Sequence, residues 1–342
     1  MRKLLNTLYV TREEGYLSLD GENVVLTEGG KELVRLPFTN LESIFCFNYP
    51  GCSPALMGKC AKENIGLCFL SPSGRFLARV TGETKGNVFL RKQQLEKFGD
   101  AEMQVGLIRA ILSAKLKNTR SLLLRSRRDH PETDADGALT HCAEVLSANL
   151  ERISGEEVPD VLRGLEGESA KAYFSVFDRL FVQQRETFRL FARSKRPPLD
   201  RTNAVLSFLY TVCTNDIASA LECVGLDPYI GVFHTLRPGR ASLASDLMEE
   251  FRSSVERLVI GAVNLKIIQK EDFEEQVGGA VLLNEEGRKK VITLWQNKKR
   301  EVLFHPFLKE KVQFGLFPYV QANLLAKFVR GELSYYPALK VE

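Results

Sequence analysis

One change of period constrains this chain most. Over residues 1 to about 80, apolar residues come in short alternating runs. A period of two puts one face of a strand inward and the other outward. From about residue 88 the alternation nearly vanishes and a helical spacing replaces it. The expected class is therefore α+β. A small β-sandwich-like domain (residues 1–82) precedes a larger all-α domain (residues 83–342), and 342 residues suffice for two cores.

Local signals refine this. Asp20-Gly21 and Gly29-Gly30 divide Leu17–Leu36 into hairpin strands, because such pairs accept positive φ. Further strands are expected at Leu41–Phe47, Ile65–Leu70 and Phe76–Val80, with a turn at Ser71–Gly74 and one helix over Pro54–Glu63. Several short strands in so few residues suggest a small sandwich or distorted barrel. Gly82–Asn87 reads as the linker, and Asp129–Gly137 as an exposed loop. Tyr173, Phe174, Phe177, Leu180 and Phe181 mark one apolar helix face, and Val205, Phe208, Leu209 and Val212 another.

No run of 18 apolar residues occurs, so no membrane-spanning helix is expected. The N-terminus lacks the pattern of a secretory signal. Seven cysteines without a Cys-x-x-Cys pair argue against a disulfide framework or zinc ribbon and fit a reducing cytoplasm.

Net charge is only +4, but its distribution is uneven. From Val105 to Arg128 there is no acidic residue and there are seven basic ones: Arg109, Lys115, Lys117, Arg120, Arg125, Arg127 and Arg128. Placed at 100° per residue, all but Lys115 fall within an arc of about 160°. Ile108, Ile111, Leu112, Leu116, Leu122 and Leu123 occupy the opposite arc. Such a helix packs on one face and offers cations to phosphates on the other; a solvated face paired to acids elsewhere is the alternative. Two further basic clusters, Arg189 to Arg196 and Arg288 to Arg300, add to the same trend.

Among chemical motifs, Gly51–Cys60 has the wrong spacing for a P-loop, and Cys60 stands where a hydroxyl is needed. Of four histidines, His130, His141 and His305 read as structural or solvated. His234 is bracketed by Gly231, Pro238 and Gly239, in a loop just before a helical stretch. There Leu243, Leu247, Met248 and Phe251 should face the core, with Asp246 and Glu249 off that arc, only 60° apart. Two carboxylates and a nearby imidazole suit Mg²⁺ or Mn²⁺ better than zinc or copper; an exposed acidic face with a stray histidine is the plainer reading. Glu166 lies between Gly164 and Gly167, whose cost to a helix points either to close backbone approach or to a helix start.

Taken together, three segments resemble the CRISPR-associated protein one family, the adaptation integrases. They are Arg163-Gly164-Leu165-Glu166-Gly167-Glu168 through Tyr173; Asp200-Arg201-Thr202-Asn203 through Tyr210; and Gly225 to His234 with Gly239 through Glu249. The resemblance implies metal ligands Glu166, His234 and Glu249, with Asp246 beside them as a further catalytic residue. It implies site-shaping or DNA-holding roles for Asn203, Tyr173, Arg240 and Ser242. It also implies a homodimer through the β domain, a small CRISPR-associated protein two as partner, and double-stranded or branched DNA as substrate. The expected function is joining the 3′-hydroxyl of prespacer DNA to a CRISPR repeat. DNA contacts are expected from Arg109, Lys117, Arg120, Arg127, Arg128, Asn203 and Arg240. Two alternatives stay open: a metal-dependent nuclease acting on branched DNA in repair, and a non-catalytic DNA-binding scaffold.

Overall fold

The computed structural model describes residues 7–12, 14–47, 50–63, 65–71, 76–82, 88–190, 192–194 and 197–341. The expected linker beyond Gly82 and most of the Ser71–Gly74 turn lie outside these residues, as do Lys195 and Arg196.

Two four-stranded sheets build the N-terminal region. The first runs β2 (Gly15–Asp20), β3 (Asn23–Glu28) and β4 (Lys31–Pro37) as antiparallel hairpins, with β6 (Gly51–Cys52) parallel to β2. Gly21, Gly29 and Gly30 take φ of 56°, 56° and 78° in the turns, which is why glycine stands there. The second sheet orders β1 (Thr7–Val10), β5 (Ser43–Cys46), β7 (Gly66–Leu70) and β8 (Phe76–Val80). β1, β5 and β7 are parallel, and α1 (Pro54–Glu63) lies in the crossover from β5 to β7. Parallel strands bury both faces, and every residue of β5 is buried.

That second sheet is a shared wall. Ile44, Cys46 and Leu67 point into a core with Val10, Leu17 and Leu56. Their neighbours Phe45, Phe47, Cys68 and Leu70 point the other way, into the helical core. Phe47 stacks on Phe208 at 5.5 Å between centroids. The β region is thus bound to the helices through alternate residues of β5 and β7.

The helical region comprises α2 (Val88–Gly99), α3 (Ala101–Asp129), α4 (Ala138–Gly155), α5 (Pro159–Phe174), α6 (Arg201–Val224), α7 (Ser242–Asn264), α8 (Glu285–Arg300) and α9 (Phe317–Arg330). Asp100 and Asp200 cap α3 and α6 by accepting from Met103 N and Asn203 N. Gly225 and Gly331 end α6 and α9 in the left-handed region. The expected aromatic face of Tyr173 to Phe181 is not one helix. α5 stops at Phe174, a 3-10 turn follows, and Tyr173, Phe177 and Phe181 still meet edge to face. The region also carries two short hairpins, β9 (Phe273–Glu275) with β10 (Val281–Leu283), and β11 (Val302–His305) with β12 (Glu310–Gln313). By length and composition α6 could cross a membrane, but 72% of its apolar stretch is buried inside the protein.

The C-terminal tail is tied down by one carboxylate. Glu250, fully buried, accepts from Tyr336 Oη (2.8 Å), Gln321 Nε2 (2.8 Å) and Leu339 N (2.6 Å). Asn118 of α3 adds bonds to Leu339 O and from Val341 N. Burial pushes Glu250 up from 4.5 to about 7, against the pull of those three donors.

Two outcomes follow. Phe47→Ala should cost about 3–5 kcal/mol in chemical denaturation, because the hole opens between sheet and helix. Glu250 binds its proton more tightly when folded, so its contribution is full below about pH 4.5 and is lost as pH rises through 7. Wild-type stability should carry a falling component across that window, at most about 1.4 kcal/mol per pH unit, and Glu250→Gln should flatten it.

Candidate active site

Four elements converge on one buried cluster. α7 supplies Asp246, Glu249, Arg252 and Glu256; α5 supplies Glu166 and Tyr173; α3 supplies Lys115; the loop from Leu226 to Ala241 supplies His234. The expected amphipathic α7 is instead buried nearly all round, and Asp246 and Glu249 are 0% and 2% exposed. An exposed acidic face is therefore not what this helix presents.

Asp246 holds the histidine loop. Its Oδ2 accepts from Val232 N (2.7 Å) and Phe233 N (3.1 Å), and its Oδ1 from His234 N (2.9 Å). The same Oδ1 lies 2.7 Å from His234 Nδ1. A carboxylate only accepts, so Nδ1 carries the hydrogen, which in the neutral ring leaves the lone pair on Nε2. Nε2 faces Glu249 Oε1 at 3.8 Å. The loop comes this close because residue 231 is glycine: a Cβ there would sit 2.6 Å from Asp246 Oδ2 and 2.7 Å from Leu243 N.

Glu249 is held by two cations. Arg252 donates to both its oxygens at 2.6 and 2.7 Å, and Lys115 Nζ lies 2.6 Å from Oε2. The same ammonium is hydrogen-bonded to Glu166 Oε1, so Lys115 bridges the two carboxylates. Burial opposes the charge on Glu249, but Arg252 and Lys115 outweigh it and hold the carboxyl well below its usual range. Burial likewise opposes charge on Lys115, and Glu249 with Glu166 reverses it, raising that pKa. Arg252 also lies over the Tyr210 ring at 4.8 Å. Tyr210 and Tyr173 donate to Glu256 at 2.6 and 3.0 Å, and burial pushes Glu256 upward.

Beside this cluster a cavity of about 550 Å³ opens, with Lys115, Glu166, Lys171, Arg193 and Arg252 among its walls and Tyr173 and Phe174 as aromatic surface.

The four expected residues Glu166, His234, Asp246 and Glu249 thus come together. Among the described residues, no three carboxylate, imidazole or thiol groups are already gathered in ligating geometry, since Lys115 sits between Glu166 and Glu249. Glu166 lies in mid-helix, seven residues past Pro159, so the helix-start reading fails. Gly164 and Gly167 face open space, so no part of this chain approaches them closely.

The basic arc of α3 is divided rather than uniformly free. Arg109 donates to Ser154 O and Arg127 to Thr140 Oγ1, both on α4, while Lys117 and Arg128 stay exposed, Arg120 half-buried. Arg240 is half-buried after the His234 loop. Asn203 must be withdrawn as a DNA contact: it is 0% exposed, and its amide accepts from Ser194 N and donates to Ala192 O. It instead braces the segment that sends Arg193 into the cavity. Ser242 is also fully buried, its hydroxyl donating to Thr235 O. Sequence reading did not single out Lys115, Arg252 and Glu256 for the site. Lys115 did leave a signal, as the one cation of its helix lying on the apolar arc.

The comparisons with known proteins agree with one another. A family model described as CRISPR associated protein Cas1 matches residues 8–297. The CRISPR-associated endonuclease Cas1 1 of Chlorobaculum tepidum is 43% identical over 338 residues, 98% of each chain. A solved casposase bound to integration product gives a TM-score of 0.86 at 18% identity, covering 99% of this chain and 95% of that one. A Cas6-RT-Cas1–Cas2 complex gives 0.84 at 21%, covering 99% of this chain and 36% of that one. At such identities the structural likeness carries the fold alone. The family match and the full-length relative carry more, and by them this chain belongs to the CRISPR associated protein Cas1 family.

Proposed function

We propose that this chain is a metal-dependent DNA integrase and endonuclease of CRISPR adaptation, joining the 3′-hydroxyl of prespacer DNA to a CRISPR repeat. The observation that carries this reading is the convergence of Glu166, His234 and Glu249 from three separate elements: the Lys115 ammonium bridges the two carboxylates, and His234 Nε2 faces the other Glu249 oxygen at 3.8 Å. Two carboxylates and an imidazole so gathered, with Glu166 on the wall of the cavity, favour chemistry over a scaffold without catalysis.

Two oxygen donors and one imidazole suit Mg²⁺ or Mn²⁺, and the place between Glu166 and Glu249 already accommodates a positive charge. Glu166, Glu249 and His234 Nε2 would hold the ion. When bound, it would neutralise charge on a phosphodiester under in-line attack and orient the nucleophile. The rest falls to the chain itself. Asp246 fixes the His234 tautomer and ring, so its role is positioning rather than direct contact with substrate. Arg193, on the cavity wall with no acidic partner within ion-pair distance among the described residues, would offer positive charge where phosphate oxygens gain charge as the new bond forms, while Lys115 and Arg252 hold Glu249 in place. With a DNA 3′-hydroxyl the product is a joined strand and a released 3′-hydroxyl; with water it is a cut.

Arg109, Lys117, Arg120, Arg127, Arg128 and Arg240 are proposed to hold duplex or branched DNA. A homodimer through the β region and a small CRISPR-associated protein two are the proposed partners. None of the seven cysteines is joined in a disulfide among the described residues, which supports action in a reducing cytoplasm.

The test is strand transfer of a short duplex into a supercoiled plasmid carrying a repeat, with Mn²⁺ and with or without the small partner. Wild type should join strands; Glu166→Ala and His234→Ala should bind DNA yet lose about 100-fold or more in rate. Joining by both variants at the wild-type rate refutes the site, and cutting of branched DNA without any joining favours the repair nuclease. Asp246→Ala should lose joining and also about 3 kcal/mol of stability in urea, because buried N–H donors lose their acceptor. Asp246→Asn should keep most stability and recover only part of the rate.

A further inference from the structure

A second cationic feature lies across the α3–α7 seam from the candidate site. Lys115 and Thr119 of α3, with Arg252 and Glu256 of α7, line the site's cavity. Ser121 and Arg125 of α3, with Ser254 and Arg257 of α7, line a separate groove of about 290 Å³, and no residue lines both. Lys298, the β11–β12 hairpin with Lys309, and Lys340 of the tail close it.

Its charge is one-sided. Five cations line the groove, Arg125, Arg257, Lys298, Lys309 and Lys340, against the single acid Glu301. Glu301 is engaged by Lys298 at 2.6 Å, and Asp129 at the margin by Arg125 at 3.6 Å. Arg257, Lys309 and Lys340 have no acidic partner within ion-pair distance among the described residues. Like charges are instead pressed together. Desolvation and then Lys117 lower the Lys340 pKa; desolvation and then Arg125 lower that of Arg257, outweighing the opposite pull of Glu301 and Asp129. Nor is Lys340 there by chance, because the buried Glu250 and Asn118 clamp Leu339 and Val341 on either side of it. The fold thus spends a buried carboxylate to hold a lysine against another lysine. Repulsion of that kind is relieved by an anion, and the ring of Phe304, 56% exposed at the edge, gives apolar surface for a sugar.

We infer that this groove binds the phosphodiester backbone of duplex DNA, as a second contact separate from the candidate metal site. A repeating polyanion matches a row of cations that runs from Lys117 to Arg125, about 12 Å along α3. Serine hydroxyls between them suit phosphate oxygens.

The test uses the full chain without metal, so that it stands or falls apart from the chemistry. Binding of a labelled duplex is followed by fluorescence anisotropy over a range of salt. The triple variant Arg257→Ala, Lys309→Ala, Lys340→Ala is compared with a control of equal charge, Lys31→Ala, Lys92→Ala, Lys289→Ala. The groove variant should lose about tenfold or more in affinity, and the slope of log affinity against log salt should shrink by about 2 to 3, near one per lost phosphate contact. Its melting temperature should hold or rise, because repulsion is removed. Equal losses in both variants would overturn the inference, as would an unchanged slope in the groove variant. Tight binding of polyglutamate, abolished by the groove variant while duplex binding persists, would assign the groove to an acidic protein and overturn it as well.

Discussion

Four buried carboxylates on α7 organise this molecule. Asp246, Glu249, Glu250 and Glu256 are each 0–2% exposed, and a carboxylate in such a place is tolerated only with its oxygens satisfied. Each finds its partners on a different part of the chain. Asp246 gathers the His234 loop, Glu249 takes Lys115 from α3 and through it Glu166 on α5, Glu250 clamps the tail, and Glu256 receives Tyr173 and Tyr210. The demand for hydrogen bonds along one helix therefore sets where the loop, the tail and three other helices lie. Leaving the Glu249 charge without Arg252 and Lys115 costs about 3–5 kcal/mol, a large share of a domain's net stability.

The same helix separates two populations of cations. On one side of the α3–α7 seam, Lys115 and Arg252 are paired with buried carboxylates, where low dielectric makes each interaction strong. On the other side, Arg257 and Lys340 have no acidic partner within ion-pair distance among the described residues, and each has another cation nearby. Inward cations set the geometry of the site, while outward ones leave a potential unspent. That division turns on rotation about a helix axis: Glu256 and Arg257 are adjacent in sequence and face opposite sides of the seam.

The β region joins this scheme through its second sheet. A strand that alternates Ile44, Phe45, Cys46 and Phe47 has no solvent face, and its two sets of side chains belong to two cores. The sheet is thereby a rigid wall for α6, whose Tyr210 and Asn203 in turn support the site.

Much of this was legible from residues alone. Alternation up to about residue 80 and helical spacing after 88 marked the two regions, because side-chain period follows directly from backbone geometry. Glycine pairs marked the hairpins, since they are cheap at positive φ. The grouping of Glu166, His234, Asp246 and Glu249 was legible through three ordered motifs rather than through any single cluster. Parallel pairing of β1, β5 and β7 was not legible, since period alone does not distinguish the direction of a neighbour. Nor was the burial of α7, whose acidic residues read as a solvated face until their partners from distant segments were in place. Lys115 shows the limit most clearly: helical phase put it on the apolar arc, but only packing revealed that two carboxylates waited there. Sequence by itself determined the elements, their order and the residues able to do chemistry, because these follow from local propensity and period. Tertiary structure alone decided which charges were paired and which were left facing water, because pairing depends on contacts between segments 50 to 130 residues apart.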